Sequence, residues 1–250
     1  ALGVLWLIHG YVAWRTIPAM GLSFSYTLLV YITVFIFSLL PIVPIVLRIS
    51  GTESKIIDKF SFLGYTSLGF FTLSFIFLFT KDFLIQFLSI ISNLVDTEQP
   101  IDNSKRDFIK KSITLGIIGI SGTATGLGFY NSRKGPSVIK HDIFLESLPE
   151  SFNNFTIAQI SDLHIGPTIK RPYVENVLDK ISIHNPDLIA VTGDLVDGSV
   201  QYLRSDLAPL KDMIAPFGTY FVTGNHEYYS GVDLWLDETD RLGMKNLINS

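Results

Sequence analysis

Three short groups in the C-terminal half carry side chains suited to binding cations: Asp162-Leu163-His164, Gly193-Asp194 and Gly224-Asn225-His226-Glu227. On an extended strand end, side chains two residues apart point the same way, so Asp162 and His164 are placed to grip one cation. Gly193 permits a sharp turn that carries the Asp194 carboxylate over the edge of a sheet. Asn225 offers a neutral amide oxygen for a second cation. A donor set of carboxylate, amide and imidazole suits Mn, Fe or Zn better than Mg or Ca alone. Singly, each group has an ordinary explanation: a capping Asp-x-His, a Gly-Asp turn, an Asn that caps a helix. Three of them closing successive strands, roughly 30 residues apart, are hard to assign to chance.

The elements that must position these residues follow from apolar periodicity. Residues 155–160, 188–192 and 220–223 read as short strands, the second as a β-branched, buried one. Residues 171–184 read as a helix with Val174, Val177, Leu178 and Ile181 on one face, and 203–214 and 232–242 as two more. A lead-in strand is expected over 138–145, after a basic-polar linker at 131–136. Strands alternating with helices imply a mainly parallel sheet. Ligands gather beyond the carboxyl ends of such strands, where all three groups fall.

Asp162-Leu163-His164, Gly193-Asp194-Leu195-Val196-Asp197 and Gly224-Asn225-His226-Glu227 resemble the first three signature blocks of the calcineurin-like metallophosphoesterases. The resemblance covers roughly residues 155–250 and implies the N-terminal half of an α/β sheet-sandwich domain that holds two divalent metal ions. It implies that Asp162 and His164 bind the first metal, Asp194 bridges both and Asn225 binds the second. His226 would lie over the substrate phosphate as proton donor or charge stabiliser. Asp197 and Glu227 would support these groups from behind. The metals, about 3.5–4 Å apart, would polarise the phosphoryl oxygens and activate water for in-line attack. The family's later Gly-His and Gly-His-x-His blocks have no counterpart here. His9, His141 and His184 do not fit those roles, so the chain reads either as a fragment or as a degraded homologue.

The first 95 residues have a different composition, dominated by Leu, Ile, Phe, Val and Tyr with few charges. About 20 apolar helical residues cross a bilayer core. Four spans are expected: the end of one over 1–14, then 24–47 with kinks at Pro41 and Pro44, then 60–80 and 112–130. Residues 83–95 either lie along the interface or extend the preceding span. The chain thus divides into a transmembrane region, 1–130, and a phosphoesterase-like region, 131–250. Arg15, Lys81, Lys105, Arg106, Lys110 and Lys111 share one side, against Arg48, Lys55 and Lys59 on the other. The positive-inside rule then puts the soluble region outside the cytoplasm. The run from Ser104 to Lys110 also resembles a twin-arginine export signal, with Lys105 in place of the first arginine; anchoring charges are the other reading.

The net charge of −4 and the lack of a basic stripe exclude a nucleic-acid partner, and the absence of cysteine excludes thiolate-zinc sites and disulfides. The expected function is metal-dependent hydrolysis of phosphate mono- or diesters at the cell membrane, on a lipid-linked or envelope substrate. The rival is a catalytically silent membrane scaffold or sensor with a phosphoesterase-like binding domain. A transporter is disfavoured by the scarcity of charge in residues 1–95.

Overall fold

Long apolar runs with no polar face become helices, because a lipid-exposed backbone must satisfy its own hydrogen bonds. A computed structural model describes residues 2–94 and 103–249 of the chain. It resolves into two compact units, one comprising Ala1–Ile49 and Lys59–Tyr130, the other Ser50–Asp58 and Asn131–Ser250.

The first unit contains α1 (Leu2–Thr16), α2 (Phe24–Leu39), α3 (Ile42–Ile49), most of α4 (Lys55–Leu94) and most of α5 (Asn103–Arg133). Three stretches, Phe24–Ile49, Lys55–Ile91 and Asp107–Arg133, are long and apolar enough to cross a membrane by length and composition. The 15 residues of α1 fall short of the roughly 20 that a bilayer core needs. Of the two expected kinks, the one at Pro41 is visible, since α2 stops before this residue, which has no N–H to donate, and α3 starts after it; Pro44 lies in the first turn of α3 and does not break it. A Cβ on Gly64 would lie 2.7 Å from the Leu40 carbonyl, so glycine allows α4 to pass close to this break.

Residues 83–94 extend the preceding span rather than turning along the interface, since α4 is one helix of 40 residues. Residues 95–102, part of the connector used in the charge count, lie outside the described residues, as do Ala1 and Ser250. Within α4, Asp82 accepts a hydrogen bond from the Tyr11 hydroxyl at 2.6 Å, and it pairs with Arg15 and with Lys81 at 3.2 Å. The helical region therefore holds a charge cluster that composition alone understates. The Ser104–Lys110 run falls inside α5.

In the second unit a four-stranded sheet runs β1 (Ile157–Ile160), β2 (Leu188–Thr192), β3 (Thr219–Val222), β4 (Lys245–Asn246), in that order and all parallel. The crossovers are α6 (Arg171–Ser182), α7 (Val200–Leu207) and the pair α8 (Asn225–Ser230) and α9 (Val232–Arg241). Ile189, Val191 and Phe221 pack with Val174, Leu203 and Trp235 in a single core. Leu188, Ala190 and Thr192 are only half-buried, so β2 is covered on one face rather than on both. This single sheet carries the site; a second sheet is not seen among the described residues.

Three expectations need correction. No strand forms over 138–145, where Ile139, Ile143 and Phe144 are exposed and no neighbouring strand among the described residues supplies a ladder. The helix expected over 203–214 starts earlier, at Val200, because Ser199 caps it by accepting the Tyr202 N–H. It also stops earlier, at Leu207, where a 3-10 turn (Ala208–Asp212) containing Pro209 takes over.

Glu238 of α9 is 2% exposed, and Arg241 donates to it through Nε at 2.9 Å and Nη2 at 2.6 Å, while Arg204 lies 3.1 Å away. The hydrogen bonds from Arg241, aided by its charge and that of Arg204, hold the Glu238 carboxyl below its ordinary value. A carboxyl whose folded pKa is depressed contributes stability in full above the unfolded value, about 4.3, and loses it as pH falls through the folded one. Thermal melts of the protein in detergent should therefore fall off below about pH 4.5, and Glu238→Gln should make that decline shallower.

Candidate metal centre

The metal-capable side chains are brought together by a zipper of backbone hydrogen bonds that continues past the strand ends. The Asp162 N–H donates to the Gly193 carbonyl at 3.2 Å, His164 to Asp194 at 3.0 Å and Ile165 to Leu195 at 2.9 Å. The Asp197 N–H returns to the Ile165 carbonyl at 2.8 Å. Strand β1 ends at Ile160, so pleat alternation does not aim Asp162 and His164. Instead Asp162, His164 and Asp194 adopt left-handed φ values of 56°, 47° and 53°. Asp and His enter this region more readily than most residues, though each such position costs about 1–3 kcal/mol that the surroundings must supply.

Gly193, at φ 81°, makes the turn expected of it. It also makes room: a Cβ there would lie 2.6 Å from the Gly224 nitrogen, and one on Gly224 would lie 2.6 Å from the Asp194 nitrogen. The two glycines let the ends of β2 and β3 touch, which puts Asp194 beside Asn225 and His226. The His226 N–H donates to Asp194 Oδ1 at 3.0 Å. Asn225 is exposed and opens α8, with Gly224 rather than Asn225 as the cap.

Ligand atoms of Asp162, His164 and Asp194 all lie within 4.8 Å of one another, and His164 Nε2 is 3.9 Å from Asp162 Oδ1. Donors at 2.0–2.2 Å from a cation sit within about 4.4 Å of each other, so this group fits a divalent ion with little closing. His164, Asp197 and His226 form a second close group, but its geometry is that of hydrogen bonding. Asp197 Oδ1 lies 3.2 Å from His164 Nδ1 and 2.5 Å from His226 Nδ1. A carboxylate accepts only, so each Nδ1 carries the hydrogen and each Nε2 becomes the working atom of its ring. One carboxylate thereby sets both imidazoles, whose centroids are 4.5 Å apart.

Glu227 is 1% exposed and accepts three backbone N–H groups: Leu195 at 2.7 Å, Gly224 at 2.7 Å and Asp194 at 3.0 Å. Its place three residues after the cap of α8 is the position from which a Glu reaches back to a cap N–H. The two further bonds, to a loop 32 and 33 residues earlier, left no trace in local sequence. The ring of Tyr229 meets that of His226 edge to face at 5.7 Å. Of the remaining histidines, His9 is buried in α1 and His141 and His184 are exposed; none lies in either cluster of metal-capable groups.

Residues 155–249 match the family model for calcineurin-like phosphoesterases. The chain is 31% identical over 192 residues to a transmembrane protein with metallophosphoesterase domain from Danio rerio, covering 76% of this chain and 43% of that protein. A Bos taurus protein of the same description is 29% identical, again over 76% of this chain and 43% of its own length. An uncharacterized metallophosphoesterase of Helicobacter pylori is 30% identical over 58% of the chain and 38% of its own. The chain thus spans less than half the length of these relatives. No solved structure gives a significant match.

Glu227→Gln tests the clamp. The amide replaces one acceptor oxygen with a donor that faces N–H groups, leaving at least one of them unpaired. Urea unfolding should show a loss of about 1–3 kcal/mol or more, and calorimetric Mn affinity should fall with it.

Proposed function

We infer, for a chain that belongs to the calcineurin-like metallophosphoesterases, that its soluble unit hydrolyses phosphate mono- or diesters with two divalent metal ions. The observation that carries this reading is the convergence of Asp162, His164 and Asp194 at the ends of two parallel strands, with the His226 amide bonded to the same Asp194 carboxylate. In this reading Asp162, His164 and Asp194 hold one ion, and Asp194 and Asn225 the other, with Mn, Fe or Zn as the fitting elements. What the ions supply when bound is charge neutralisation at the phosphoryl oxygens and a more acidic water.

The chain's own groups do the rest. Asp194 serves as ligand and, by accepting the His226 N–H at 3.0 Å, sets the start of α8 against the metal position. Asp197 pins Nδ1 of His226, which commits Nε2 to the substrate side as proton donor to the leaving oxygen. Glu227 stiffens both loops so that these groups need not reorganise during the reaction.

The apolar helices tether this site to the bilayer, and a lipid-linked or envelope phosphate ester is the substrate class we propose. The distribution of Lys and Arg supports an extracytoplasmic soluble unit, with Arg15 and the basic run of Lys105, Lys110 and Lys111 on the cytoplasmic side.

Hydrolysis of a chromogenic phosphodiester by the full-length protein should require added Mn. Asp194→Asn should abolish turnover with membrane insertion intact, and His226→Ala should lower kcat by about 10²–10⁴-fold. An absence of turnover with every metal tried would instead favour the silent scaffold or sensor.

A further inference from the structure

The connector between α3 and α4 is part of the soluble unit. Residues 50–58 group with 131–250, although α4 and α5 intervene in sequence. The Glu53 carboxylate accepts the Ser199 N–H at 3.2 Å and also the Ser199 hydroxyl. Asp58, 8% exposed, accepts the Tyr202 hydroxyl at 2.7 Å and pairs with Lys170 at 2.8 Å. Ser199 caps α7, and Glu53 supplies the acceptor for the cap's own N–H, the task a Glu within the helix usually performs. A Cβ on Gly198 would lie 2.6 Å from Glu53 Oε1, so glycine is what admits the carboxylate.

The loop that Glu53 grips is the one that bears Asp194 and Asp197. Its anchors follow one another along the chain. Glu227 takes the N–H of Asp194 and Leu195, Ile165 takes that of Asp197, the Trp235 indole donates to the Gly198 carbonyl at 3.0 Å, and Glu53 holds Ser199. Among these, Glu53 is the anchor that comes from outside residues 131–250.

We propose that Glu53 is a positioning residue for the hydrolytic site: from a connector between two membrane-spanning helices, it locks Gly198-Ser199 and thereby fixes Asp197 between His164 and His226. The proposal rests on the phosphoesterase reading above. It makes the connector between α3 and α4 a structural contributor to catalysis. It also requires residues 50–58 and 131–250 to share one side of the membrane, with α4 and α5 as a pair of crossings.

In the full-length protein, Glu53→Ala should lower kcat for the phosphodiester roughly tenfold, as a small misplacement of a catalytic group does, with KM within about twofold. Glu53→Gln keeps an oxygen for the Ser199 N–H and should recover most of that loss. The chain has no cysteine, so a Glu53→Cys, Ser199→Cys double variant gives a clean proximity readout. A short bismaleimide should bridge the two positions, seen as one band after cleavage at a protease site inserted between them. Bridging with an unchanged kcat in Glu53→Ala would overturn the positioning role alone. Failure to bridge, with both cysteines reactive singly, would overturn the docking and the role together. No Mn-dependent turnover in the unsubstituted protein would instead overturn the phosphoesterase reading, and this role with it.

Discussion

A buried carboxylate is among the costlier groups a protein can hold, by several kcal/mol if left unpaired. Glu227 meets that cost with three backbone N–H groups drawn from two different strand ends. The rest of the site depends on this exchange. It ties the loop after β2 to the turn after β3, and so holds Asp194 against Asn225 and His226. It also satisfies three donors that the irregular backbone at the strand ends would otherwise leave without ladder partners. The same charge therefore stabilises the fold and sets the spacing of the metal-capable groups.

The backbone around that clamp is strained where the chemistry is. Three of the proposed ligands, Asp162, His164 and Asp194, sit at left-handed φ, and two glycines allow a contact that no Cβ could survive. Strain of this kind persists only when neighbouring bonds over-determine the conformation. Here they do, through the zipper that links Asp162, His164 and Ile165 to Gly193, Asp194 and Leu195. The placement of these three side chains is thereby decided by the backbone, which would lower the ordering cost of binding a cation.

Much of this was legible in the chain. β2 was read at its observed bounds, Gly193 was assigned its turn, and the long apolar stretches were read as membrane helices. These signals are local: period, glycine before aspartate, uninterrupted hydrophobicity. What sequence could not give were interactions that join distant residues. Pleat alternation explained Asp162 and His164 wrongly because the strand stops at Ile160 and φ changes sign beyond it. The exposed apolar residues of 138–145 mimicked a strand because periodicity registers side chains and cannot report whether a partner strand exists. The docking of Glu53 on Ser199 was invisible for the same reason, since neither residue is unusual in its own neighbourhood.

That docking spans 146 residues, and the interval has a meaning in time. A ribosome adding about 5–20 residues per second makes Glu53 roughly 7–30 seconds before Ser199 exists. During that interval α4 and α5 are synthesised, and Glu53 waits for its final partner. Its charges are compatible with that wait, because Glu53 and Asp58 remain soluble in water while the flanking segments enter lipid. The closing of this contact is therefore a late event of biogenesis, reached only when the helices on either side are in place. A chain whose helices insert in the wrong order would carry the same metal-capable residues on a loop without its Glu53 anchor.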